Sequence, residues 1–255
     1  MGPQLTLLTP FLNEAALLPG FLSRILHLTE CFPYEIEWVL VDSGSSDASA
    51  SIVREWAVNR SGVRLVEKDQ QEWRGPSIGR ALNHGLRCGS FRGSWVQVIP
   101  ADCELSTESL GDILRGISVG FSEDWFACVK RYEPETLILR WYSWLQNSIR
   151  LGWLGRAVWT NGMAVRRCSL LERPFPEVGF MEDSLWGDAL LKQYGRPAVM
   201  GVLKVSARRY YPDRTLRRVC INLLVIFFYR MARAMPVLQI EQVLPWLRQL
   251  YLSLR

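Results

Sequence analysis

Three acidic positions have the residue type and setting that sugar-phosphate chemistry requires. Asp42 closes the apolar run 36–41 (IEWVLV) and opens the turn DSGSSD. A carboxylate there can accept a hydrogen bond from a nucleobase N–H or a ribose hydroxyl, and the Ser-Gly-Ser-Ser turn lets backbone approach a ligand closely. Asp47, later in the same turn, is placed to cap the next helix, a structural role. Asp102 follows the run 94–99 (SWVQVI), with Glu104 two positions on. A diphosphate is held through a divalent cation, and Mg²⁺ or Mn²⁺ prefers carboxylate oxygen, so Asp102 is the candidate metal ligand. Glu182-Asp183 opens an amphipathic stretch. Transfer to a hydroxyl needs a base there, although an Asp at a helix start also serves as a cap. Arg74, Arg80, Arg208 and Arg209 are candidate partners for phosphate oxygens, which a guanidinium matches in a bidentate way.

The elements that must carry these residues are legible from periodicity. Strand-like runs at 5–11, 36–41, 63–67 and 94–99 alternate with helical patterns through 28, through 58 and over 76–88. Short apolar strands alternating with helices predict a mostly parallel sheet covered on both faces. Ligands of such sheets bind beyond the carboxyl ends of the strands, where Pro10, Asp42 and Asp102 fall. The second half is less regular, with strands expected at 125–130 and 162–167 and a helix at 182–194. The stretch 140–159 carries Trp141, Tyr142, Trp144, Trp153 and Trp159. It reads first as core and second as a stacking surface for an acceptor sugar or lipid.

Composition narrows the class. Hydrophobic residues make up 49% and charged residues 22%, with a net charge of +5. That suits a globular enzyme meeting anionic substrates or lipid headgroups, and without basic runs it argues against nucleic acid. The six cysteines stand singly and there are two histidines, His27 and His84, which argues against zinc, redox and disulfide frameworks. The N-terminus lacks a signal-peptide pattern, so a cytoplasmic location is expected. The apolar run 219–229 (VCINLLVIFFY) is too short to cross a bilayer, which takes about 20 residues. With its arginine flanks it is expected to pack on the domain or to lie on a membrane surface at the cytoplasmic face.

With these positions in place, the chain resembles family 2 glycosyltransferases, inverting enzymes of GT-A fold, over roughly residues 5–211. The opening TPFLNE, the turn VDSGSSD, the helix GPSIGRALNHGL, the segment IPADCEL and the segment VGFMEDSLWGDALLKQYGRP follow the family's order of motifs. The resemblance implies nucleotide contacts from Pro10, Asn13, Glu14, Asp42, Arg80, Asn83 and Ala101. It also implies a Mn²⁺ or Mg²⁺ ligand in Asp102 and the catalytic base in Asp183. Glu104, Glu182, Arg208 and Arg209 become candidate diphosphate or acceptor contacts. The donor would be a UDP- or GDP-linked sugar and the acceptor a saccharide, lipid or small molecule. Within the family, the ending MED, GRP and SARR is similar to the bacterial radical-SAM/selenodomain-associated subgroup. Residues 1–211 would form the GT-A domain and 212–255 a helical extension.

Departures from the pattern qualify the expectation. Pro100 replaces the first acid of the Asp-x-Asp metal motif, removing a ribose contact and leaving Glu104 as a candidate substitute. The arginine expected after Glu-Asp is absent, with Asp188-Ala189-Leu190 in its place. Two other classes share strand-end carboxylates: a nucleotidyltransferase and a non-catalytic nucleotide-binding protein on a decayed fold. The first should carry a glycine-rich basic loop after the first strand, and TPFLNEA has neither glycine nor lysine.

Overall fold

The computed structural model describes residues 3–33, 35–58, 60, 62–67, 77–88, 91–120, 122–210, 215–234 and 240–253. In chain order the elements are β1 (Leu5–Phe11), α1 (Leu18–Cys31), β2 (Ile36–Asp42), α2 (Ser49–Ala57), β3 (Val63–Val66), α3 (Ile78–Arg87), β4 (Trp95–Val98), β5 (Cys103–Leu105) and α4 (Thr107–Val119). They continue with β6 (Trp125–Glu133), α5 (Leu137–Trp144), a π-helical segment (Leu145–Trp153), β7 (Ala164–Arg166), α6 (Arg167–Glu172), α7 (Glu182–Tyr194), β8 (Ala198–Ser206), α8 (Thr215–Ala234) and α9 (Ile240–Ser253).

The eight strands form one mixed sheet ordered β3-β2-β1-β4-β7-β6-β8-β5. Strands β3, β2, β1 and β4 are mutually parallel, β7 runs antiparallel to both β4 and β6, and β8 runs parallel to β6. Every residue of β1 and β2 is buried, as expected of strands covered on both faces. One core lies between the sheet and α1, α2 and α4; the other lies under α3, α6 and α7. A buried carboxylate, Glu37, ties the parallel half together. It accepts from Thr6 Oγ1 at 2.6 Å, Arg92 Nε at 2.9 Å and Gly93 N at 3.1 Å. Burial alone would raise its pKa, but these hydrogen bonds outweigh burial and hold it below the usual carboxylate range.

The switch point lies between β1 and β4. Their pairing ends at Leu8 and Val98, so Pro10, which lacks an N–H, sits where no β4 partner needs one. Beyond it the strands part, bridged by Thr9 Oγ1 donating to the Ile99 carbonyl at 2.7 Å. The opening between them is the crevice in which an α/β sheet holds its ligand.

The C-terminal helices close over this crevice. Tyr229, Leu244 and Leu247 pack against Phe180, Met181 and Leu185 at the start of α7. Asp188 of α7 pins α8: Tyr229 Oη donates to its Oδ2 at 3.1 Å, Arg230 pairs with the same oxygen, and Arg156 Nε lies 3.5 Å from Oδ1. Among the described residues no helix is long and apolar enough to cross a membrane. The core reading of the aromatic stretch is corrected in part: Tyr142 and Trp159 are buried, but Trp141, Trp144 and Trp153 are exposed, Trp153 to 70%.

Candidate active site

A cleft of about 630 Å³ opens at the carboxyl ends of β1 and β4, within the range of small-molecule sites. Pro10, Phe11, Ala101 and Asp102 form its base. Asp102 follows β4 in a tight turn closed by Cys103 N donating to the Pro100 carbonyl at 2.9 Å. Its own carbonyl accepts from Ser206 N at 2.9 Å, which brings the turn after β8 alongside. That turn carries two arginines. Arg209 Nη2 lies 3.3 Å from Asp102 Oδ2, and Arg208 Nη2 donates to Glu14 Oε1 at 2.6 Å, a bond that raises the Arg208 pKa.

The start of α7 forms one wall. Met181 occupies the left-handed region at φ 58°, uncommon for a residue with a side chain, and turns the chain sharply into the helix. Glu182, buried, holds that turn. Its Oε1 accepts from Ser77 Oγ at 2.5 Å and Gly179 N at 2.8 Å, and its Oε2 from Gly79 N at 3.1 Å. Ser77 in turn caps α3 by accepting from Arg80 N at 3.1 Å. The close approach demands Gly79, because a Cβ there would lie 1.9 Å from the Pro176 carbonyl oxygen. Asp183 therefore starts a fixed helix and lines the cleft, its Oδ1 accepting from Ser184 N at 2.6 Å.

Strand β6, α5 and the π-helical segment continue the lining with Lys130, Tyr132, Tyr142, Gln146 and Arg150, the last of which meets α7 at Ser184. Tyr132 stacks on Tyr142 with centroids 5.9 Å apart, and its hydroxyl lies 3.3 Å from that of Tyr210. Burial raises the pKa of both Tyr132 and Tyr142, which keeps them neutral. Asn222, Val225 and Ile226 of α8 and Tyr251 of α9 cover the cleft.

Several expected contacts lie elsewhere. Asp42 does not line the cleft; its Oδ1 accepts from Ser45 N at 2.9 Å and Ser45 Oγ at 2.6 Å, shaping the turn behind Ser43, which does. Asn13 bridges the same turn, accepting from Ser46 N at 2.8 Å. Asp47 accepts from Ser49 N at 3.0 Å at the start of α2 and from Ala15 N at 3.2 Å, so the structural reading fits it.

Arg80 Nε donates to Glu177 at 3.2 Å, while Asn83 donates to Glu177 and to the Phe175 carbonyl, each at 2.8 Å. Both tether the loop before α7 and neither lines the cleft. Glu104 is a clear departure from expectation. Asp102 lies in the turn before β5, and within β5 Cys103 and Leu105 are buried while Glu104 between them faces outward; there it bridges Arg24 and Lys204 at 3.8 Å each and lines a separate depression, away from Asp102's cleft. Arg74 lies outside the described residues.

Three charged cleft residues, Lys130, Arg150 and Arg248, were not among the residues expected from sequence. The signal for Lys130 was the alternation along β6, which puts it on the same inward face as Tyr132. Arg150 had none, because its orientation depends on the π-helical winding of Leu145–Trp153.

Comparison with known proteins gives this geometry a family. The sequence pattern of glycosyl transferase family 2 matches residues 6–174. The bactoprenol glucosyl transferase of Shigella phage SfV is 29% identical over 102 residues, 40% of this chain and 31% of that protein. The PGL/p-HBAD biosynthesis glycosyltransferase of Mycobacterium tuberculosis is 31% identical over 104 residues, 41% of this chain and 37% of that protein. The chain thus spans about a third of the length of these curated relatives. Among solved structures, a mannosyltransferase from Pyrobaculum calidifontis in complex with GDP-Man and Mn²⁺ superposes with a TM-score of 0.65 at 24% identity, covering 100% of this chain and 74% of that one. Glucosyl-3-phosphoglycerate synthase from M. tuberculosis, with Mn²⁺, UDP and glucosyl-3-phosphoglycerate, gives 0.55 at 23% identity, covering 88% and 79%. These likenesses establish a GT-A fold. With the family pattern covering well over half of its length, the chain belongs to glycosyl transferase family 2.

Proposed function

We propose that the protein transfers a sugar from a UDP- or GDP-linked donor to an acceptor oxygen, with inversion at the anomeric carbon. The observation that carries this reading is one cleft shared by a strand-end carboxylate, Asp102, and a helix-start carboxylate, Asp183. The donor would lie across the ends of β1 and β4, against Pro10 and Ala101, with the turn that Asp42 shapes alongside.

Asp102 presents a single hard oxygen ligand, a donor set that suits Mg²⁺ or Mn²⁺ when diphosphate oxygens complete the shell. A cation held there would supply charge neutralisation for the departing diphosphate. Arg209, which lines the cleft and is paired with Asp102, would take up phosphate oxygens in exchange; Arg208, paired with Glu14, is its neighbour in sequence and is not among the lining residues.

Asp183 accepts the acceptor's proton as the acceptor oxygen bonds to the anomeric carbon. The bond from that carbon to the diphosphate breaks on the opposite face, and its electron pair leaves with the nucleoside diphosphate. A single in-line attack needs no nucleophile from the protein.

The reading extends to the chain's organisation and setting. Residues 1–211 would form the catalytic domain and 212–255 an extension. Ile138 and Trp141 of α5, Phe227, Phe228 and Met231 of α8 and Trp246 of α9 are exposed, and α5 packs on α8. With Arg217, Arg218 and Arg233 nearby in sequence, this face suits peripheral contact with a cytoplasmic membrane surface. The subgroup resemblance of the MED, GRP and SARR ending belongs to the same reading.

The Arg209–Asp102 pair favours a second reading, nucleotide binding without catalysis, because it neutralises the lone motif carboxylate. Incubation with a panel of UDP- and GDP-sugars, with and without Mn²⁺, separates the two. Release of nucleoside diphosphate only with Mn²⁺ supports transfer. Tight nucleotide binding with no release from any donor supports the second reading.

A further inference from the structure

Three cations that line the cleft, Lys130, Arg150 and Arg248, have no task in the transfer step, and the first two are tied together through Asn147. Lys130 is 3% exposed, and among the described residues its Nζ has one polar contact, Thr160 Oγ1 at 3.5 Å. Arg150 donates only to neutral oxygens, Gln146 Oε1 at 3.2 Å and Ser184 Oγ at 3.1 Å, and its Nε is buried without a hydrogen bond. Neither has a carboxylate within ion-pair distance among the described residues, whereas Arg208, Arg209 and Arg230 are each paired. Burying two cations carries a desolvation cost that Asp183, the carboxylate acting on both, offsets only in part. Burial, with Arg150 adding like-charge repulsion, pulls the Lys130 pKa down to about 7, against the opposing influence of Asp183.

The pair is held in place. Both backbone polar groups of Lys130 are bonded to the side chain of Asn147, N to Oδ1 at 3.0 Å and O to Nδ2 at 2.7 Å. Asn147 lies on the same π-helical segment that presents Arg150, so one side chain fixes both cations relative to each other. Arg150 reaches Ser184, next to Asp183, which puts the pair on the base's side of the cleft; Asp102 has its own arginine.

Resting on the transferase reading above, we propose that Lys130 and Arg150 form an anion subsite for the acceptor, and that the acceptor bears a phosphate group. A phosphate monoester carries between one and a half and two negative charges near neutral pH, which matches an ammonium plus a guanidinium better than a carboxylate's single charge does. The cleft's cover of Val225, Ile226 and Tyr251 accommodates either a lipid phosphate or a small soluble one.

The test is calorimetric and needs no turnover. The full chain, saturated with UDP or GDP plus Mn²⁺, is titrated with inorganic phosphate as wild type, Lys130→Met and Arg150→Gln. Both variants are expected to weaken phosphate binding by at least about tenfold while changing UDP or GDP affinity less than about twofold. Phosphate binding unchanged in both variants overturns the subsite. Loss of nucleotide affinity in step with phosphate overturns it too, since the cations would then serve the donor. Failure of the wild type to bind either nucleotide counts against the transferase reading, while the phosphate titration alone still judges the subsite.

Competition assigns the source. Displacement of phosphate by dodecyl phosphate micelles supports a lipid acceptor, and displacement by glycerol 3-phosphate supports a soluble one. Equal displacement by neutral dodecyl maltoside overturns the anion preference.

Discussion

Glu182 and Ser77, 105 positions apart in sequence, are joined by a 2.5 Å hydrogen bond that locks the start of α7 to the start of α3. A buried carboxylate with three donors is a strong restraint, and removing one donor leaves part of its charge unmet. Ser77→Ala and Glu182→Gln are therefore expected to lower stability by about 1–3 kcal/mol. Both should also lower turnover with little change in nucleotide affinity, because Asp183 loses its fixed helix start. Denaturant unfolding together with kcat and KM for the donor measures both effects. Turnover that stays at the wild-type level in a destabilised variant would separate the lock from the site.

Asp183→Asn keeps the shape of the helix start and removes the basic oxygen. Transfer is expected to fall by about 10²–10⁴-fold, the usual contribution of a positioned base. Binding of UDP or GDP with Mn²⁺ should be nearly intact. Near-normal turnover in this variant rules out Asp183 as the base.

Asp102→Ala addresses the other carboxylate. Nucleoside diphosphate affinity in Mn²⁺ is expected to drop at least about tenfold, with little change when EDTA is present. Equal affinity with the metal in both proteins would leave Arg209 as the pertinent group at this position.

Stability should depend on pH at two points. The Glu37 pKa is held low in the folded state, so its contribution is present above the ordinary carboxylate pKa and fades as pH falls through the folded value. The deficit of Glu37→Gln at pH 7 should therefore shrink in acid. For Lys130 the folded pKa is about 7 against an unfolded value of 10.5, so between these the unfolded chain binds the extra proton. Stability should rise with pH across that window, and Lys130→Met should remove the rise and be more stable than wild type at pH 6 by about 1 kcal/mol or more. The charged and titratable groups that influence Lys130 are Arg150, Asp183 and Cys103. Urea unfolding from pH 3 to 10 follows both changes.

The regular half of the fold was open to reading from the sequence, because buried parallel strands are short unbroken apolar runs. Strand β1 and helix α7 begin and end where periodicity put them, and β2 gained only Asp42. Strand β5 is three residues long, and α4, which follows a serine cap, went unread. Asp102 and Asp183 emerge in one cleft because strand ends and helix starts are local features. Arg80, Asn83 and Glu104 came out elsewhere because side-chain direction depends on tertiary partners such as Glu177, Arg24 and Lys204. Lys130 was hidden for the opposite reason: a lysine read as the end of a strand turned out to sit within one that runs on to Glu133.

Asp188 stands five positions along α7 from Asp183 and holds Tyr229 and Arg230 of α8. At 3.6 residues per turn that is about one and a half turns of helix. The outer face of α8 carries exposed Phe227, Phe228 and Met231, while its inner side meets α7 both at Asp188 and through Tyr229, which packs with Met181 and Leu185. A contact made on the outside of α8 is thus two residues' reach from the helix that carries Asp183: Tyr229 or Arg230, then Asp188.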